Sequence, residues 1–334
     1  TQTGVTMRVS TDSSGLESNR ESIGAVLSAD GRFVAFESYA SNLVPGDANG
    51  VPDIFIKDTQ TGVTTRVSTD SGGLEANNGN YNPALSPDGR YVAFSSLASN
   101  LVAGDGNGTD DVFVKDTLTG VTTRVSTDSG GVEGNNQSGQ PAPSSDGRSV
   151  PFMSWASNLV FGDVIGVIDV FVKDTLTGVT TRVSTDGGGV EGNSTSSSPT
   201  LSADGRHVGF TSHASNLVSS DGNFVYDIFS AENSSFSPDT DGDGLRDDVD
   251  PDDDNDGMPD SFEVTYGFDP LDAADAGLDQ DTDGHDNESE FRYGTDPAVG
   301  TGNDDPDNLA QLHYKILSDD GEVSDWFGYS VDID

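Results

Sequence analysis

The chain has no cysteine among its 334 residues, which excludes disulfide stapling and thiolate chemistry and leaves packing, ions or partners to do any cross-linking. It is equally poor in positive charge: 15 Lys and Arg stand against 58 Asp and Glu, a net charge of -43. Such a surface repels phosphate backbones, so nucleic acid is excluded as a partner. No apolar run approaches the roughly 20 residues that span a bilayer, and no basic stretch followed by an apolar core opens the chain. The first residue is Thr1 rather than Met, which predicts a removed leader or further sequence upstream. The four histidines, His207, His213, His285 and His313, are scattered, without a second His or Cys at zinc-like spacing. Walker loops, dinucleotide fingerprints and nucleophile elbows are missing too, so the pattern argues against an enzyme.

What the chain does contain is one unit of 58 residues written four times. Arg8, Arg66, Arg124 and Arg182 occupy the same phrase at that step, as do the Asp-Gly-Arg triplets beginning at Asp30, Asp88, Asp146 and Asp204. A fixed period of this size signals stacked supersecondary units that bury their apolar faces against one another. Within the second copy, Asn82 to Ser86, Arg90 to Ser95, Asp111 to Asp116 and Val121 to Ser126 read as four short strands joined by turns. Four antiparallel strands per unit make a propeller blade. Phe36, Phe94, Phe152 and Phe210 fall on the second strand and Phe55, Phe113, Phe171 and Phe229 on the third, where burial statistics make them core.

The turns SPDGRYVAF from Ser86, SADGRFVAF from Ser28 and SADGRHVGF from Ser202 resemble those of TolB-like, WD-type propeller repeats over residues 1 to 232. The resemblance implies a fold and no particular activity. The third copy departs from it by placing Pro151 in the strand, which predicts an imperfect second strand there. The chain opens with a lone fourth-strand phrase, Gly4 to Ser10, and the last repeat lacks one after Phe229. Either the first strand closes the last blade or upstream blades lie outside this sequence.

Long loops carrying Asp12, Asp70, Asp128 and Asp186, Glu17, Glu75, Glu133 and Glu191, and Asp47, Asp105, Asp163 and Asp221 are expected on one face. Each second-to-third-strand loop holds a version of GDxNGxxD, such as Asp47 to Asp53 and Asp105 to Asp111. Oxygens at its first, third and seventh positions suit a hard cation, while an Asx turn around Asn-Gly explains the same residues without one. Ile165 and Phe224 break the pattern in copies three and four, which favours the turn.

Residues 239 to 334 hold 31 of the acids against Arg246, Arg292 and Lys315. Their spacing carries more information than their number. A 12-residue loop that wraps Ca²⁺ places oxygens at positions 1, 3 and 5, glycine at 6, a carbonyl at 7, a polar group at 9 and a carboxylate at 12. Asp252, Asp254, Asp256, Gly257, Met258, Asp260 and Glu263 fill that template, as do Asp279, Asp281, Asp283, Gly284, His285, Asn287 and Glu290. Asp239, Asp241, Asp243, Gly244, Leu245, Asp247 and Asp250 match with a shorter last carboxylate.

From Asp239 to Pro297 the wording, DTDGDGLRDDVDPDDDNDGMPDSFE and then EFRYGTDP, resembles bacterial thrombospondin type 3 repeats. That resemblance implies Ca²⁺ as the cofactor, with the residues above as ligands and Phe262, Tyr266, Phe268, Phe291 and Tyr293 packing beside the loops. The spacer Gly267 to Gly277 departs from it and predicts a short helix or hinge. Ser324 to Asp332 resembles the opening strand of an FG-GAP repeat and predicts a strand that adds to another module.

The sequence thus predicts an all-β fold: a four-bladed β-propeller over 1 to 232, a linker over 233 to 238, a calcium-binding acidic segment over 239 to 300 and a C-terminal segment over 301 to 334. It predicts a non-enzymatic, secreted prokaryotic surface protein that self-associates, or alternatively a binding module whose long-loop face captures a glycan or protein.

Overall fold

The computed structural model describes residue 4, residues 6 to 243 and residues 245 to 300. It divides into two units, Thr1–Phe236 and Ser237–Asp334, with the division inside the expected linker. The FG-GAP-like segment lies outside the described residues.

The first unit is a row of antiparallel sheets, one per repeat. The first holds β1 (Ser22–Leu27), β2 (Phe33–Ser38), β3 (Asp53–Asp58) and β4 (Thr64–Arg66) in that order. The second repeats this with β5 (Asn80–Leu85), β6 (Tyr91–Ser96), β7 (Asp111–Asp116) and β8 (Thr122–Arg124). The third comprises β9 (Ser138–Gly139), β10 (Ser149–Ser154), β11 (Asp169–Asp174) and β12 (Thr180–Arg182), and the fourth has only β13 (Ser196–Leu201), β14 (His207–Ser212) and β15 (Asp227–Glu232). This is the blade pattern of a β-propeller.

Cross-strand register places the recurring phenylalanines opposite one another. Phe94 faces Phe113 and Phe152 faces Phe171, with ring centroids 6.0 and 5.8 Å apart. Each pair is then covered by the sheet before it. Ala35, Ile54 and Ile56 of the first sheet share a buried cluster with Val92, Phe94 and Phe113 of the second. Burying one such side chain is worth about 1.5 to 3 kcal/mol, so these layers account for much of what holds the row together.

Two features of the repeat lock one sheet to the next. In the Asp-Gly-Arg turn, Gly89 has φ +80° and packs so closely on Phe33 of the preceding sheet that a Cβ would collide with the ring. Lys115 buries its ammonium between sheets, donating to Thr69 Oγ1 at 3.0 Å, Asp70 O at 2.8 Å and Thr122 Oγ1 at 3.0 Å. Lys57 and Lys173 repeat the arrangement.

Two expectations change on inspection. Pro151 leaves β10 intact, pairing with β11 along all six residues, and it is β9 that shrinks to Ser138–Gly139. A proline nitrogen has no hydrogen to donate, so the strand that would accept it loses its ladder there. The closing strand is not found: among the described residues, 6 to 10 form no strand and β15 pairs only with β14. Thr11 is bonded to Lys57 and Thr64 of the first sheet just as Thr69, which follows β4, is bonded to Lys115 and Thr122 of the second. Ile228 on β15 is consequently 78 % exposed, whereas its equivalents Ile54, Val112 and Val170 are fully buried.

In the second unit, two short helices follow loops: α1 (Asp260–Tyr266) and α2 (Asn287–Tyr293). Each ends on a left-handed glycine, Gly267 and Gly294. Phe262 of α1 and Phe291 of α2 meet at 4.8 Å between centroids, and Phe262 also touches Tyr266 and Phe268. No helix forms over 267 to 277, which is a run of turns.

Candidate metal centre

The Asp-x-Asp-x-Asp-Gly spacing forces a tight coil in which each carboxylate serves the loop with one oxygen and keeps the other. In the second loop Asp252 Oδ2 accepts from Gly257 N at 3.2 Å, Asp254 Oδ1 from Asp256 N at 3.2 Å and Asp256 Oδ1 from Met258 N at 2.7 Å. Gly257 makes the sharp turn at φ +98°, a conformation that side chains rarely adopt. The partner oxygens, Asp252 Oδ1, Asp254 Oδ2 and Asp256 Oδ2, are buried and have no hydrogen-bond donor. Ligand oxygens of the three carboxylates lie within 4.8 Å of one another.

Glu263 completes the arrangement. It sits in the first turn of α1, fully buried, with both carboxylate oxygens unpartnered. Burial, then the charges of Asp254, Asp256 and Asp275, push its carboxyl up to about 8. A buried carboxylate with no donor costs several kcal/mol unless a cation or a proton meets it. Five unpartnered oxygens converge here, and the Met258 carbonyl stands at the template's seventh position, a donor set that suits a hard cation taking six to eight oxygens.

The third loop repeats the design. Gly284 turns at φ +106°, and Asp279 Oδ2 accepts from its amide at 2.9 Å. Asp281 Oδ1 accepts from Asp283 N at 3.1 Å and Asp283 Oδ1 from His285 N at 3.0 Å. Asp281 Oδ2, Asn287 Oδ1 and Glu290 Oε2 are buried without donors, and burial together with Asp281, Asp283 and Asp279 raises Glu290 to about 7. The first loop brings Asp239, Asp241 and Asp243 together and leaves Asp241 Oδ2 unpartnered. Its Asp247 caps Thr240 at 2.9 Å, Asp250 Oδ1 accepts from Asp252 N at 3.1 Å, and no helix follows it directly among the described residues. Asp260 accepts from Asp253 N at 3.0 Å, so in this structure the ninth residue of the second loop braces the backbone. Leu245 is exposed at the seventh position of the first loop.

Sequence reasoning missed Asp253 and Asp275. Both are buried, and each has one oxygen without a donor. Neither falls on a template position, so spacing gave no signal for them.

The repeated acids of the propeller answer to arginine instead. Arg124 Nη1 lies 3.9 Å from Asp105, 3.8 Å from Asp111 and closest to Glu133; Arg66 and Arg182 hold the equivalent acids in their own sheets. Asn49 turns its amide nitrogen toward Asp53 Oδ2 and Ala76 O while its oxygen accepts from Val51 N at 3.0 Å. In the copies that keep the asparagine, the GDxNGxxD motif forms an Asx turn, and in the first three copies an arginine lies beside its acids. Desolvation raises Asp53, Asp105, Asp111 and Asp163 to about 6 and Asp169 to about 7. Asp12, Asp70, Asp128 and Asp186 each cap a turn of their own loop, as Asp70 Oδ1 does for Gly72 N and Leu74 N.

No protein-family model and no curated protein matches the sequence. Solved structures similar to the chain include TolB from Acinetobacter baumannii, at 19 % identity and TM-score 0.39 over 65 % of this chain and 44 % of that one. A putative TolB from Agrobacterium tumefaciens follows at 16 % identity and TM-score 0.39, covering 63 % of this chain and 65 % of that one. The β-propeller domain of the Trilobed protease from Pyrococcus furiosus, described as having an open velcro topology, stands at 14 % identity and TM-score 0.39, covering 65 % and 56 %. The chain therefore spans less than two thirds of the length of each of these structures.

Proposed function

We propose that this chain is a non-enzymatic, calcium-stabilised structural or adhesive protein of a prokaryotic cell surface, secreted and self-associating. The observation that carries the calcium reading is Glu263: a fully buried carboxylate, both oxygens without a donor, beside a loop whose Asp252, Asp254 and Asp256 each keep one buried oxygen without a donor. Loops of this oxygen-only chemistry take Ca²⁺ in preference to softer metals, and extracellular modules with weak sites are saturated at the millimolar calcium found outside cells. Isothermal titration of the full chain should show uptake of about three Ca²⁺, with Glu263→Gln removing one. Absence of uptake would sink the reading.

Self-association is supported by the ends of the sheet row. Ile23 and Leu27 on β1 and Ile228 on β15 are exposed where the repeat elsewhere buries its apolar residues. A heterologous contact, last sheet of one copy against first sheet of the next, continues the stacking already used inside the chain. Light scattering in millimolar Ca²⁺ should report assemblies that Ile228→Glu dissolves; a monomer under those conditions refutes the idea.

A second reading, capture of a glycan or protein by the long-loop face, is favoured by one specific feature. The loops of copies three and four, where Ile165 and Phe224 break the Asn-Gly pair, expose Phe161, Val164, Phe224 and Tyr226. Clustered exposed apolar residues of this kind mark interaction sites. Replacing Phe161 and Phe224 with serine should abolish capture on a surface-glycan and peptide array while leaving light scattering unchanged.

A further inference from the structure

We propose that the second and third loops bind calcium cooperatively, and that Asp275 and Asn287 form the bridge that couples them. This rests on the calcium reading above. The spacer between the loops matches no ligand position, yet its turns place Asp275 where both loops meet. Asp275 is 8 % exposed; its Oδ2 accepts from Asp269 N at 2.8 Å, and its Oδ1 has no donor. Its segment borders the second loop: Glu288, whose N donates to Ala276 O at 3.1 Å, lies against Gly257, and the charge of Asp275 bears on Asp254, Asp256 and Glu263.

The backbone of the same residue holds the third loop. Asp275 O accepts from Asn287 Nδ2 at 2.7 Å, and Asn287, fully buried, keeps its Oδ1 unpartnered at the ninth position of its loop. Neighbouring bonds make the connection stiff: Asn287 N donates to Leu278 O at 2.8 Å and Glu288 N to Ala276 O at 3.1 Å. A cation in the second loop that engages Asp275 Oδ1 fixes the backbone carbonyl of the same residue. That carbonyl fixes the amide plane of Asn287 and so aims Oδ1 at the third loop. Whatever ordering the first ion accomplishes, the second does not repeat, and linkage makes the benefit reciprocal.

Calcium titration of the full chain, followed by the amide NMR signals of Gly257 and Gly284 as reporters of the two loops and by calorimetry, tests this. In the natural chain both signals should move together in one steep transition. Glu290→Gln, which cripples the third loop, should weaken the second loop about 5-fold to 30-fold. In an Asp275→Asn background the same Glu290→Gln change should leave the second loop within about twofold, because the bridge is already cut. Asp275→Ala serves in place of Asp275→Asn if the latter fails to regain helix signal in saturating Ca²⁺. A natural chain that takes up no calcium overturns the reading this rests on. A chain that takes up calcium at two independent loops, with Glu290→Gln equally harmless in both backgrounds, overturns the coupling alone.

Discussion

Gly31 and Gly89 occupy the same place in the same turn, with φ +70° and +80°, yet only Gly89 is walled in by a neighbouring sheet; at Gly31 a methyl group would point into open space. Alanine at Gly31 should cost about 1 to 2 kcal/mol, the left-handed penalty alone, whereas alanine at Gly89 adds the collision with Phe33 and should cost about 1 to 3 kcal/mol more. Thermal unfolding of the two variants checks this, and equal losses would mean that the inter-sheet contact is unimportant. Lys115 makes a related case. Replacing it with methionine leaves Thr69, Thr122 and the Asp70 carbonyl without their donor and should destabilise by about 1 to 3 kcal/mol, again read by thermal unfolding. Sequence pointed to neither role, because a glycine in a DGR turn and a lysine in a strand both have ordinary local explanations.

At the level of elements, α1 and α2 have seven residues each, far below the length at which an isolated helix persists in water. Both begin inside an acidic loop and both bury the loop's last carboxylate, Glu263 and Glu290. Removing Ca²⁺ with EDTA should therefore erase their far-ultraviolet helix signal while leaving the sheet signal of the first unit, and restoring Ca²⁺ should return it. Helix signal that persists in EDTA would show that Phe262 and Phe291 suffice. The template positions of these loops were legible because loop ligands follow one another at fixed local spacing. Asp275 was not legible, since it reaches the second loop through a turn that no local pattern encodes. The acids of the propeller show the same limit: their regular recurrence was legible, but not that Arg66, Arg124 and Arg182 stand beside them.

Across the whole molecule, two sets of aspartates set opposite pH responses. Asp53, Asp105, Asp111, Asp163 and Asp169 have folded values of about 6 to 7, above the value near 4 of an unfolded chain, so the folded state holds protons that the unfolded state gives up. Their contribution falls as pH rises from about 4 to 7. Asp58 and Asp116, hydrogen-bonded to Arg32 and Arg90, are held well below the usual range, and their contribution disappears as pH falls below about 4. The first unit's melting temperature in EDTA should accordingly peak between about pH 4 and 6 and decline toward pH 8; a flat profile would mean that the Arg-centred clusters titrate normally. The number of sheets, their strand order, the phenylalanine layers and the coiled acidic loops were all determined by the sequence alone, because each depends on periodicity or spacing within some 60 residues. What the tertiary structure decided was which groups meet: whether Asp111 lies beside Arg124, whether Asp275 is buried, and whether Ile228 is covered. Those outcomes depend on groups brought together by stacking and turns, and electrostatics at a few ångströms is set by that proximity rather than by order along the chain.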